Sequence, residues 1–386
     1  MIFTSIYQRI KENKPLYFRF WANCILVKGY KNGILFDLQR GRSVNVSRLF
    51  CETYERYKGE CISSVFKDEN FDERKGYVKM LDFFIKNDFG ILTDDVNTLP
   101  DLSMEYDSPF WATNVILETD SDADPGFMLD VIEKLSQGHV QAVQINDCGH
   151  ITVQQLRRIG EITINSQLHY INIYTNYRTA YSQKQLNFIY RNNRFRNIIF
   201  MGAPRERDFN NEEMGLANIA YMKKVIDFKC CGNVRKDLFV FNQPFFIEAH
   251  SCNTCLNRKI SIDKNGVIKN CTLMENGFGN IQDYSVREIV DLPGFQNLWN
   301  LSKDEIDVCK DCEYRYICTD CRHFIKDKEN IKSQPSKCKY NPYIGKWEGE
   351  NGYVSVEECG KYLQNTGYIP NEDIICELNK RIENTQ

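Results

Sequence analysis

Half of the sixteen cysteines in this 386-residue chain fall within residues 252–338. They are Cys252, Cys255, Cys271, Cys309, Cys312, Cys318, Cys321 and Cys338. Three of the spacings are C-x-x-C: 252/255, 309/312 and 318/321. A C-x-x-C turn aims two thiolates at one centre, and two such pairs supply four ligands. Eight thiolates therefore suit two four-ligand metal sites. Zinc and iron–sulfur clusters both accept four thiolates, so the spacing alone leaves the metal open. Disulfides are not the expectation. Gln8, Arg9, Lys11, Glu12 and Lys14 interrupt any apolar signal segment, and a cytoplasmic chain keeps its thiols reduced. The other eight cysteines, Cys24, Cys51, Cys61, Cys148, Cys230, Cys231, Cys359 and Cys376, read as small buried packing residues.

Charge narrows the function classes. Lys and Arg number 49 against 52 acidic residues, a net charge of -3. A general binder of nucleic acid or of a membrane surface would carry a basic excess. No apolar run reaches the ~18 residues that a membrane span needs. The distribution is uneven, however. Residues 1–60 hold eleven basic and five acidic side chains, while residues 94–130 hold ten acids and no Lys or Arg. The acidic stretch reads as solvated surface and helix caps, with Asp124 and Pro125 a good N-cap and N1 pair.

Hydrophobic patterning divides the chain further. Residues 17–47 alternate like a β-meander and two helical stretches follow, with Gly90 placed to end the second. This suggests a winged-helix-like module over residues 1–92. Residues 93–111, with Pro100 and Pro109, read as a linker. Residues 112–245 alternate strand and helix, with strands expected at 114–119, 140–147, 170–176, 197–202 and 238–243 and a helix from Asn210 or Asn211 to about residue 227. That order means βαβ units and a parallel sheet. About five units are too few for a closed eight-stranded barrel, so an open partial barrel or open α/β sheet is expected. Residues 246–342 carry the cysteines and a hairpin turning at Lys264–Asn265–Gly266. Residues 343–386 read as a helical tail.

The cysteine order Cys252, Cys255, hairpin Gly266, Cys271, then C-x2-C-x5-C-x2-C from Cys309 to Cys321, then Cys338, closely resembles the SPASM domain. That domain is a C-terminal extension of radical SAM peptide-modifying enzymes and holds two auxiliary [4Fe–4S] clusters. The opening FWANCILVKGYKNGILFDLQR looks like the start of SPASM maturases of the grasp-with-spasm type, which accompany an ATP-grasp ligase and a precursor peptide. The resemblance spans nearly the whole chain. It implies an α/β chain with a leader-peptide-recognition-like module, a degenerate partial (β/α) TIM barrel and a SPASM domain. It implies two [4Fe–4S] clusters, with two zinc ions the alternative. Cys252, Cys255, Cys271 and Cys321 would hold one cluster; Cys309, Cys312, Cys318 and Cys338 would hold the other.

The chain departs from that family twice. SPASM domains usually have three residues before the cysteine matching Cys321, and here there are two. Radical SAM enzymes also carry three cysteines after the first barrel strand, where this chain reads DSDADPG. The segment after the second strand, Asn146–Asp147–Cys148–Gly149, offers one cysteine. Cleavage of S-adenosylmethionine is therefore not expected. The resemblance implies maturation of a ribosomally made peptide, with the precursor and an ATP-grasp ligase as partners and no nucleic acid or membrane. Redox action on the peptide through the auxiliary clusters and a zinc-stapled adaptor are the rival readings. His250 and His323 are expected to sit at the surface or to donate hydrogen bonds to cluster sulfurs, which tunes potential, rather than to bind metal.

Overall fold

In a computed structural model the described residues are Glu12, 14–64, 71–208, 217–227, 231–363 and 366–384. Cys230 and residues 210–216, including Asn210 and Asn211, lie outside them, as do Gln8, Arg9 and Lys11. The chain divides into two compact units. One comprises Met1–Tyr106, Gly232–Cys252 and Leu301–Gln386; the other comprises Asp107–Cys231 and Asn253–Asn300.

The first unit opens with β1 (Tyr17–Phe20), then the meander β2 (Cys24–Lys28), β3 (Asn32–Asp37) and β4 (Arg42–Ser47). These last three form an antiparallel sheet in that order. Helix α1 (Arg48–Tyr57) starts where the Ser47 hydroxyl accepts the Phe50 N–H. Helix α2 (Phe71–Lys86) and strand β5 (Gly90–Thr93) follow, and β5 pairs with β1. Gly90 does not cap α2 as expected. The left-handed residue there is Asp88, with φ 58. Gly90 instead opens β5, where a Cβ would stand 2.4 Å from the Arg19 carbonyl oxygen.

The second unit holds an eight-stranded, mostly parallel sheet. Its strands and helices run β6 (Asn114–Thr119), α3 (Pro125–Ser136), β7 (Ala142–Asp147), α4 (Val153–Thr163), β8 (Tyr170–Asn176), α5 (Gln183–Arg191), β9 (Phe195–Met201), β10 (Arg207–Asp208) and β11 (Asn218–Met222). Asp124, Thr152 and Ser182 cap α3, α4 and α5. Helix α6 (Gln243–Ser251) belongs to the first unit; the hairpin β12 (Lys259–Ile262) and β13 (Ile268–Lys269) returns to the second. The spatial order is β10-β11-β9-β8-β7-β6-β12-β13. β12 joins β6 in parallel, so the hairpin of the cysteine-rich region extends the sheet. One face buries Val115, Leu117, Val143, Ile145, Ile171, Ile173, Ile198, Phe200 and Ile219 in a single core. Six adjacent parallel strands with helical crossovers make a mixed α/β fold consistent with a partial barrel.

Three expectations are corrected. Residues 218–222 form β11 rather than helix, because Ile219 and Tyr221 alternate with less buried neighbours. Residues 238–243 form no strand. Lys236–Leu238 is a 3-10 turn, and Asn242 caps α6, which has Pro244 in its first turn. Phe239 and Phe241 pack instead on a core with Val27, Phe36, Phe246 and Tyr316. The tail is helical only in its last part, Glu372–Glu383; two short strand pairs precede that helix.

Close packing in the meander yields a test. A Cβ on Gly33 would lie 2.2 Å from the Cys51 Sγ, and Cys51 is fully buried. Gly33→Ala should cost about 1–3 kcal/mol in urea unfolding, as overpacked cores do. The double variant Gly33→Ala/Cys51→Ala should regain most of that loss.

Candidate functional site

Cys309, Cys312, Cys318 and Cys338 line one cavity in the first unit. A 3-10 turn, Cys309–Asp311, places the first two thiols. It begins at Val308, whose φ of 67 and ψ of -41 are strained for a β-branched residue. The Tyr314 N–H points at the Cys312 Sγ, 3.4 Å away. Such N–H···S contacts are the support that a metal-bound sulfur uses. Phe239, Tyr314, Tyr340 and Trp347 complete the wall. The Tyr314–Tyr340 and Tyr340–Trp347 ring centroids are 5.1 and 5.0 Å apart.

Burial dominates the electrostatics. It pushes all four thiols up, Cys338 to about 11. The Cys309 thiol sits close enough to Cys312 and Cys338 for their charges to interact. Lys303 also lines the cavity, and its ammonium donates to the Cys318 carbonyl oxygen. Burial opposes that charge, but Cys318, Asp320 and Cys309 outweigh it and hold the lysine protonated. Beside the cavity, burial lifts the Glu313 carboxyl to about 7 while Tyr340 donates to it.

The other four cysteines divide between the units. Cys252 and Cys321 lie in the first, Cys255 and Cys271 in the second. Cys252 is the residue that ends α6, and Cys321 is buried with its Sγ 3.5 Å from the Phe324 N–H. A Cβ on Gly232 would come within 3.0 Å of that sulfur. Cys271 is buried in the core of the sheet unit, against which Cys255 packs. Neither His250 nor His323 lines the thiol cavity; their rings lie against Tyr316 and Phe324.

The loops at the ends of β6 and β7 are bound to each other. The buried Asp147 carboxylate accepts from Thr119 Oγ1, the Ser121 N–H, Ser121 Oγ and Thr175 Oγ1 at 2.7–2.9 Å. Gly149 fits beneath this loop: a Cβ there would stand 2.7 Å from the Asp122 nitrogen. Asp122 itself pairs with Arg178. The acidic stretch is thus largely caps and ion pairs, with Asp101 bound by Arg19 and Lys58. Cys148 is exposed, and partial burial and Asp120 raise its pKa, the opposite of an activated nucleophile.

The four cysteines that the SPASM resemblance groups as one set line this cavity. Sequence spacing misses Lys303 and the aromatic wall, which come from separate segments with no spacing signal. It also misreads Cys148, Cys231 and Cys376, which are exposed rather than packed, while Cys24, Cys51 and Cys359 are buried as expected.

No protein-family model matches this chain, and no curated protein does. Among solved structures, the crystal structure of Streptococcus suis SuiB is similar at 10% identity and a TM-score of 0.34, covering 82% of this chain and 97% of that one.

Thiol chemistry checks the burial pattern. Brief alkylation of the native protein should label Cys148, Cys231 and Cys376 and spare Cys24, Cys51 and Cys359, as read by peptide mass spectrometry. Burial raises the Cys24 and Cys51 thiols from 9.0 to about 12, so the folded state keeps those protons longer than the unfolded chain does. Their contribution to stability is present below pH 9.0 and is lost as pH rises toward about 12.

Proposed function

We propose that this chain is an iron–sulfur protein of SPASM type that matures a ribosomally made peptide. It binds the precursor and works with an ATP-grasp ligase, without S-adenosylmethionine radical chemistry. The observation that carries this reading is the thiol cavity. Four cysteines that the SPASM resemblance groups as one set line a common cavity. The donor set fits a cluster, because soft thiolates select iron–sulfur or zinc over hard cations.

Bound there, a [4Fe–4S] cluster would supply a one-electron store and a brace for the fold. The chain's own residues supply the rest. Cys309, Cys312, Cys318 and Cys338 would hold it, the Tyr314 N–H would support one sulfur, and the aromatic wall would exclude water. The second cluster is proposed for Cys252, Cys255, Cys271 and Cys321 on the SPASM spacing. The oxygen-only loop after β6, closed on Asp147 and Gly149, supports the absence of a radical SAM cluster.

Precursor binding is assigned to the meander. A small sheet offers open edges to which an extended peptide adds a strand. The β2 edge is partly occupied: Trp21 accepts its Cys24 N–H at 2.8 Å, and Arg315 donates to its Lys28 carbonyl at 2.8 Å. The β4 edge is the other one, six residues long, with Arg42 and the helix-capping Ser47 at its ends. An N-terminal region with a surplus of basic residues suits an acidic leader peptide.

Anaerobic reconstitution should give about eight irons per chain, and Cys312→Ala should lose about half of them. Colourless protein with about two zinc ions would overturn the cluster reading. For the peptide, Val44→Pro and Asn45→Pro form a pair, since adjacent strand residues point their N–H groups to opposite sides. The variant whose N–H faces outward should keep its stability and lose precursor binding by isothermal titration calorimetry. Undiminished binding in that variant would place recognition elsewhere.

A further inference from the structure

Lys303 is only 4% exposed, yet it carries a full charge into a cavity lined by four thiols and aromatic rings. Its flanking acids do not neutralise it. Asp304 is bound by Arg315 at 2.8 Å and by the Tyr316 hydroxyl, and Glu305 pairs with Lys332 at 2.8 Å. The carboxylate that acts on it, Asp320, is buried and already paired with Arg322. Its hydrogen bond goes to a neutral group, the Cys318 carbonyl. A buried ammonium calls for negative charge nearby, and the exclusion of water strengthens that demand. The thiols that share its cavity supply that charge once a metal ionises them. Four thiolates around a cationic centre leave roughly two negative charges for either zinc or an oxidised cubane.

We propose that Lys303 balances the charge of this thiol centre and, for an iron–sulfur cluster, holds its reduction potential up. The inference rests on the cluster reading above and deepens it. Adding an electron to the cluster raises its negative charge, and a fixed ammonium at the cavity wall favours that step. The four cysteines come from the turn at 309–312, Cys318 and Cys338, while Lys303 comes from the preceding 3-10 turn, Lys303–Glu305. It is therefore part of the same loop system without being a ligand.

The test compares the full-length wild type with Lys303→Met and Lys303→Arg. After anaerobic reconstitution, potentiometric titration followed by electron paramagnetic resonance should show one cluster signal shifted in Lys303→Met. The expected shift is at least tenfold in the reduction equilibrium, about 59 mV downward for one electron. Lys303→Arg, which keeps the charge, should stay close to wild type. An unshifted potential in Lys303→Met overturns the proposal. A wild type that takes up no iron defeats the cluster reading itself, and this proposal with it.

Discussion

The first unit is organised by a strand that is buried on both faces. β3 sends Ile34 and Phe36 into a core shared with α6 and Tyr316, and Leu35 into a second core shared with α1 and α2. A strand has only period-two alternation with which to serve two cores, so every position from 33 to 37 is buried. One consequence is that the meander and the cysteine-bearing segments around Tyr316 and Ile317 share apolar contacts. Another is a charged rim. Asp37, wholly buried, is bound by Arg40 and Arg42, which hold its carboxyl below the usual range against the penalty of burial. The thiol cavity stands on this scaffold rather than on a separate small domain.

Much of the sheet unit was legible because local signals agreed. β6, β7 and β8 are alternating or apolar runs, each followed by a capped helix, and Asp124, Thr152 and Ser182 all cap as their chemistry demands. The errors arose where one signal stood against another. In residues 218–222 the long apparent helix hid a five-residue alternation, Asn218 to Met222. In residues 238–243 an aromatic run looked like a strand, although Asn242 and Pro244 announce a helix start. The strand role there is taken by the hairpin strand β12, and a parallel pairing between residues so distant in sequence leaves no local trace.

The candidate site was legible in part of its thiol set and opaque in its surroundings. C-x-x-C spacing follows from turn geometry, so Cys309 and Cys312 had to be neighbours. Nothing in spacing could add Cys338, Lys303 or Trp347, because three-dimensional packing alone brings them to one wall. The Asp147 network is similar. Its carboxylate could be seen in sequence, but its four donors belong to the ends of two other strands, β6 and β8.

Val308 ties the end of the chain to this chemistry. Its unfavourable backbone is held by a small core made with Tyr343, Ile344, Val356, Cys359, Tyr368 and Ile375, all from the last segment. Cys359 is the one thiol among them, and it is fully buried in that core. They act as a clamp: the grip of the tail on the Val308 side chain keeps the next residue, Cys309, turned inward. The C-terminal segment thus bears on how the thiols of the cavity are set. Natural variation in the tail, which looks like variation in a solvent-facing appendage, would be read out as variation in how firmly the first thiol is presented.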